Sequence, residues 1–197
     1  MSSMNINPPA QRARRTALIL SGVAVAFSLG FGFFIRRWWA KAPPDSWREF
    51  GGAAIVWLMG ALVLLLIAVV LRIGASICEL LWLERTWSNL PERMRRVGPI
   101  DNVTPVHIFG FAFVPVVAWF WKLALVATVA KSLEQVRKET PFAARVPRGL
   151  GLTAVVLGWL PPLNLYLAPF LWELFARKID VVYLELARAG RPDAPEP

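Results

Sequence analysis

His107 is the single histidine of the chain and Cys78 its single cysteine. One histidine cannot make a bis-histidine haem site or a protein-only zinc site. One cysteine makes neither an intrachain disulfide nor a CxxC pair. His107 could ligate a pigment or haem from one side, but a structural or interfacial histidine is the simpler reading. Lys122 and Glu173 are the charges closest to the long apolar runs, and an ionisable group inside a membrane is a functional candidate by default. Antiparallel packing of their segments would bring the two together as an intramembrane charge pair; alone, Lys122 would snorkel to the interface. Asn164, between two apolar stretches, suits a helix cap or a hydrogen bond to a neighbouring helix. Ser28, Ser76, Thr128 and Thr153 have no adjacent base, and G-x-S-x-G, HExxH, Walker and GxGxxG patterns are absent. The chain therefore reads as non-enzymatic, with no catalytic residues, no metal set and no cofactor.

The elements that would carry these residues are set by four stretches without Asp, Glu, Lys or Arg: 16–35, 50–71, 103–121 and 149–172. About 20 helical residues at ~1.5 Å rise cross a hydrocarbon core of ~30 Å. They explain why 56% of the chain is hydrophobic and only 18% charged, against about 45–50% apolar in an ordinary soluble domain. A spanning backbone must satisfy its own hydrogen bonds, and runs that are apolar on every side favour helices over barrel strands. The predicted fold is all-α: a polytopic membrane protein of four transmembrane helices, at about 16–35, 50–71, 103–130 and 150–176, with amphipathic extensions. It forms one domain over 12–188, between disordered segments 1–11 and 189–197.

Two of the four segments carry a proline in mid-run. Pro115 lies inside 103–121, and its echo, Pro161-Pro162, inside 149–172. Each removes a backbone donor and should kink its helix. Thr104-Pro105 or Asn102 suits the start of the third segment, and Asp45 or Ser46 the N-cap of the second. Pro91 or Gly98-Pro99 breaks the extension of the second helix, whose apolar stripe runs Ile73, Ile77, Leu80, Leu83, Trp87, Leu90 and Met94. Glu79 and Arg85 lie off that stripe. Gly22 and Ala26 form a small-xxx-small pair, read as ordinary glycine enrichment of a membrane helix.

The net charge of +9 would suggest nucleic acid in a soluble chain. Here the cations flank apolar runs, so the partner is the anionic lipid headgroup rather than nucleic acid. Arg36, Arg37, Trp38 and Trp39 after the first run, and Arg95 and Arg96 after the second, are the candidate headgroup contacts. Tryptophan beside arginine suits the interfacial belt. With four crossings and both termini cytoplasmic, twelve basic residues fall inside and nine outside. The positive-inside rule wants a sharper asymmetry; a re-entrant or interfacial proline-broken segment would put charges from both sides on one face and explain the even spread.

The string FAFVPVVAWFW at 111–121 and WLPPLNLY at 159–166 resemble a recurring elbow, F-[IV]-P-x-x-N-x-[YF]-W. It occurs in uncharacterised bacterial four-helix inner-membrane proteins. Ala118 replaces its asparagine in the first copy, and the second lacks its tryptophan. The resemblance covers roughly residues 80–175 and implies a bacterial inner-membrane protein without assigned chemistry. The functional expectation is a scaffold, assembly or lipid-contacting component, homo-oligomeric or joined to another membrane protein. The alternative is a small transporter or channel subunit built on the elbows Pro115, Pro161, Pro162 and Asn164, because broken helices in corresponding positions point to midplane sites. A lipid-modifying enzyme is the least favoured reading.

Overall fold

The structure, a computed structural model, describes residues 11–40, 52–100, 103–112, 114–140, 142–160 and 163–189. Helices α1 (Gln11–Trp39), α2 (Gly52–Ser88), α3 (Pro105–Ala112), α4 (Pro115–Glu139), α5 (Arg148–Leu157), α6 (Leu163–Tyr166) and α7 (Ala168–Ala189) follow in order. The described residues are thus all-helical, apart from loops and an isolated bridge between Val97 and Ile100. The expected caps at Asp45, Ser46 and Asn102, the prolines 161 and 162, and the tails expected to be disordered lie outside the described residues, except for Gln11 and Ala189, which end helices. The sequence groups 12–188 as one domain, but the chain divides into two compact units. One is Thr16–Ile77; the other combines Met1–Arg15 with Cys78–Pro197.

In the unit Thr16–Ile77, α1 and α2 pair antiparallel. Gly74 meets Leu20, Gly30 meets Leu64, and Gly60 lies so close to Phe34 that an added Cβ would stand 2.9 Å from its ring. The buried positions are small: Ala17, Ser21 and Ala24 on α1, and Ala61, Ala68 and Ala75 on α2. Each alanine recurs after seven residues, which keeps one narrow seam facing the partner helix. Gly22 has nothing within 4 Å, so the close approach is made by Gly30 and Gly60 instead. The large aliphatics point away: Ile19 and Leu66 are each 64% exposed. Helices α1 and α2 are the two described helices long and apolar enough to cross a membrane.

The second unit packs as a bundle with a conventional core. Trp82, Leu83 and Trp87 from α2, with Leu90 just beyond it, join Leu125, Val129 and Leu133 from α4, and Phe175, Ile179 and Val182 from α7. The amphipathic stripe of the α2 extension holds from Leu83 to Met94, whereas Ile73 and Ile77 are exposed. After Ser88 the chain turns: the Arg95 guanidinium donates to the carbonyls of Ser88 (2.7 Å) and Leu90 (2.9 Å), satisfying acceptors that a helix end leaves open. Gly98, at φ +58°, makes the tight reversal that joins Val97 to Ile100, a conformation that penalises a Cβ.

The third and fourth apolar segments differ from the kinked spans expected. Pro115 is the first residue of α4 rather than a kink within one helix, the position at which a proline's missing donor costs no helical hydrogen bond. The chain then doubles back. Val103 N–H donates to Arg95 O at 3.0 Å, while Ser132 Oγ donates to Met94 O at 3.3 Å. Both ends of the excursion are therefore anchored at residues 94–95. The α5–α7 excursion closes the same way. Ala144 N–H donates to Glu185 Oε2 at 2.8 Å, and Gly151 lies against Phe175 and Val126, where a Cβ would stand 2.6 Å from the Phe175 ring. Each segment is a helical hairpin with its turn near a proline.

Candidate functional site

His107 sits in the first turn of α3, where its Nδ1 accepts the Thr104 backbone N–H (3.2 Å) and the Thr104 hydroxyl lies 2.8 Å away. Thr104 O in turn accepts from Ile108 N–H. One half of a capping box is thus present, with histidine reaching back to the N-cap N–H in the place usually held by Glu. In this bond Nδ1 is the acceptor. Its ring stacks on Phe111 (6.1 Å), which meets Trp121 edge-on (4.7 Å).

The two hairpin tips lie at the same end of this unit. Phe120, one turn into α4, contacts the Trp159 ring at 6.0 Å, and the Gly151–Val126 approach lies further from both tips. Around them Val114, Phe120, Leu160, Leu163, Tyr166 and Phe170 are all exposed. Asn164 is the second residue of α6, its backbone N–H donating to Leu160 O at 3.0 Å. Among the described residues its side chain makes neither the cap nor the interhelical bond expected of it. The helical part of the Pro115 elbow is described; Pro161 and Pro162 are not.

Below the tips lies a belt of ionic groups. The Lys122–Glu173 pair is not what the structure builds. Lys122 pairs with Glu79, and its Nζ also lies 4.2 Å from the Trp172 ring centre, a cation–π contact. Glu173 instead meets Arg177 at 2.7 Å and Arg14 Nε at 3.5 Å. Arg14 Nη1 reaches Asp180 at 2.7 Å, and Trp82 Nε1 donates to the other oxygen of Asp180 at 3.2 Å. The reason for the exchange is the α2 extension: it passes α4 and offers Glu79 to Lys122, leaving Glu173 to the N-terminal arginine. Glu79, which the sequence places off the apolar stripe, is only 2% exposed. Burial pushes the Asp180 carboxyl above its usual range; the Trp82 N–H and Arg14 pull it down, and Glu173 adds an upward push. The belt surrounds an aromatic trio, Trp82, Trp172 and Phe175, with ring centres 5.6–6.0 Å apart.

Sequence reasoning missed Glu79, Arg14, Trp82 and Asp180. A signal existed: Glu173 and Asp180 stand seven apart, so both fall on the buried stripe of α7 with Trp172, Ile179 and Leu186. The headgroup candidates divide. Arg36, Arg37 and Trp39 are exposed at the end of α1, where cations also suit the helix dipole. The Trp38 ring packs edge-on against Trp39 at 5.3 Å. Arg96 is exposed, whereas the half-buried Arg95 guanidinium is turned to the carbonyls of Ser88 and Leu90 at the end of α2.

Chemically, the belt pairs its carboxylates with cations and a donor indole, an arrangement that orients the helices carrying them. Among the described residues no group of three or more His, Cys, Asp or Glu could hold a metal ion. Comparison with protein-family models, curated proteins and solved structures finds no match to this chain.

Proposed function

We propose that this chain is a non-catalytic integral membrane protein of a bacterial inner membrane, a scaffold or lipid-contacting component anchored by α1 and α2. One observation carries the reading: in the α1–α2 pair alanines are buried and leucines exposed. Only 11% of each helix's most apolar window is buried, whereas a core helix of a soluble protein would be mostly buried. Lipid is as apolar as leucine, so helices in a bilayer gain little by hiding large aliphatics and associate through small residues. A soluble surface rarely leaves such a patch open.

Four segments enter the membrane on this reading, and helix length separates them. With 29 and 37 residues, α1 and α2 exceed the ~30 Å hydrocarbon core at ~1.5 Å per residue. With 8 and 10 residues, α3 and α5 reach about 12 and 15 Å. Two crossings and two returning hairpins fit these lengths better than four crossings. The charge count also sharpens. With two crossings only Arg36, Arg37, Lys41 and Arg48 lie outside, and eighteen basic residues share the side of both termini. The positive-inside rule makes that side cytoplasmic, with anionic headgroups as the partner. The close contact of Gly151 with Phe175 and Val126 supports a packed scaffold. The transporter or channel alternative requires a polar path past Asn164.

The test is alkaline extraction of membranes, followed by impermeant-maleimide labelling of single cysteines in a Cys78→Ser background. Retention in the membrane is expected, with Arg48→Cys labelled only from outside and Arg145→Cys only from inside. Release into the supernatant would overturn membrane integration. Labelling of Arg145→Cys from outside would restore four crossings.

A further inference from the structure

We infer that the two hairpin tips of the Cys78–Pro197 unit form one lipid-inserting surface, which enters a single leaflet of the bilayer. This inference rests on the membrane reading above and deepens it: the two returning hairpins share one lipid-facing surface at their tips. Three observations converge on it. Phe120 (63% exposed) and Phe170 (57%) lie in the tip segments with Val114 and Leu160, and the Phe120–Trp159 contact makes the two tips one patch. The stretches forming the tips, 103–121 and 149–172, carry no Asp, Glu, Lys or Arg. The charges resume together at their bases, with Lys122 on one hairpin and Arg148 and Glu173 on the other.

Depth makes lipid the fitting occupant. Helix α5 has 10 residues from Arg148 to Leu157, about 15 Å or half of a ~30 Å hydrocarbon core. The exposed Arg148 then stands at headgroup level while the tip lies among acyl chains. A turn of non-helical backbone at such depth is tolerated when neighbouring protein covers it, and here each tip leans on the other. Away from the tips, α4 and α7 expose Lys131, Gln135, Lys138 and Lys178 among Val181 and Leu184, a mixed surface unsuited to insertion among acyl chains. The surface is therefore one-sided, as insertion into one leaflet requires.

The experiment uses the full chain in vesicles of phosphatidylethanolamine and phosphatidylglycerol. An environment-sensitive fluorophore is attached in a Cys78→Ser background to Val114→Cys, Leu160→Cys or, as control, Gln135→Cys. These surface substitutions keep the bundle's melting midpoint, which is checked first. The expected result is blue-shifted emission at both tips, quenched by doxyl-labelled lipid and spared by aqueous iodide, with the reverse pattern at Gln135→Cys. Iodide quenching at the tips would overturn the inference. So would labelling of a tip only from the outer face, or shielding from both quenchers with crosslinking between copies, which would mark a protein interface. Release of the whole chain by alkali would instead sink the membrane reading, so the two failures are distinguishable.

Discussion

In the α1–α2 pair the buried side chains are Ala24, Ala61, Ala68 and Ala75, and Leu66 faces outward; in the bundle Leu83, Leu125 and Leu133 are buried, and Lys131 and Lys178 face outward. One chain thus uses two opposite packing rules. Where water is the solvent, burying a leucine gains about 1.5–3 kcal/mol and large residues go inside. Where acyl chains are the solvent, that gain vanishes, and contact area comes from close backbones. On the membrane reading proposed above, helix α2 follows the membrane rule up to Ile77 and the aqueous rule after Cys78, so its apolar positions change role partway along one helix.

The contrast can be broken most severely at the ionic belt. Asp180→Ala leaves Arg14 without its closest carboxylate, and Arg14→Ala leaves Asp180 buried without its cation. Each should destabilise the bundle by about 3–5 kcal/mol, read as a lowered denaturant midpoint in detergent. Joint replacement by Arg14→Met and Asp180→Leu should recover most of that loss.

Next in size is one substitution made in both units. Leu133→Ala should cost about 2–5 kcal/mol because it opens a cavity in a closed core. Leu66→Ala should cost under about 1 kcal/mol in micelles, since detergent tails refill the space. Equal losses would refute the two-solvent account.

Glycine substitutions sharpen the same point. Gly151→Ala forces a Cβ against Phe175 and Val126 and should cost about 1–3 kcal/mol. Gly22→Ala meets nothing within 4 Å and should leave the fold intact or gain up to about 1 kcal/mol from helix propensity.

The smallest effect lies at Tyr183, whose hydroxyl donates to Thr86 O at 2.8 Å. Tyr183→Phe should cost about 0.5–1.5 kcal/mol at neutral pH. Burial pushes the phenol above its usual value of 10.0. The folded state therefore keeps the proton where the unfolded chain begins to lose it. Its contribution is complete below that usual value and declines as pH rises beyond it. The wild type should lose stability above that pH more steeply than Tyr183→Phe, measured by alkaline unfolding at matched ionic strength.

The all-helical character, the two helices long and apolar enough to cross a membrane (of the four expected) and the Thr104 start of α3 were legible because each depends on residues close together in sequence. The alanine seam was legible in principle from its seven-residue period. The ionic belt was only half legible. Lys122 and Glu173 stood out as charges beside apolar runs, but the choice between Glu79 and Glu173 as partner depends on which helix passes α4. No local pattern encodes that passage.

By itself the sequence determined how much apolar surface must leave water and where the backbone cannot continue as helix, since both follow from side-chain chemistry and proline's missing donor. Only the tertiary structure decided that the broken segments fold back instead of running on. The same break serves a kink or a hairpin, and the choice rests on distant anchors: Val103 and Ser132 on residues 94–95, and Phe175 against Gly151.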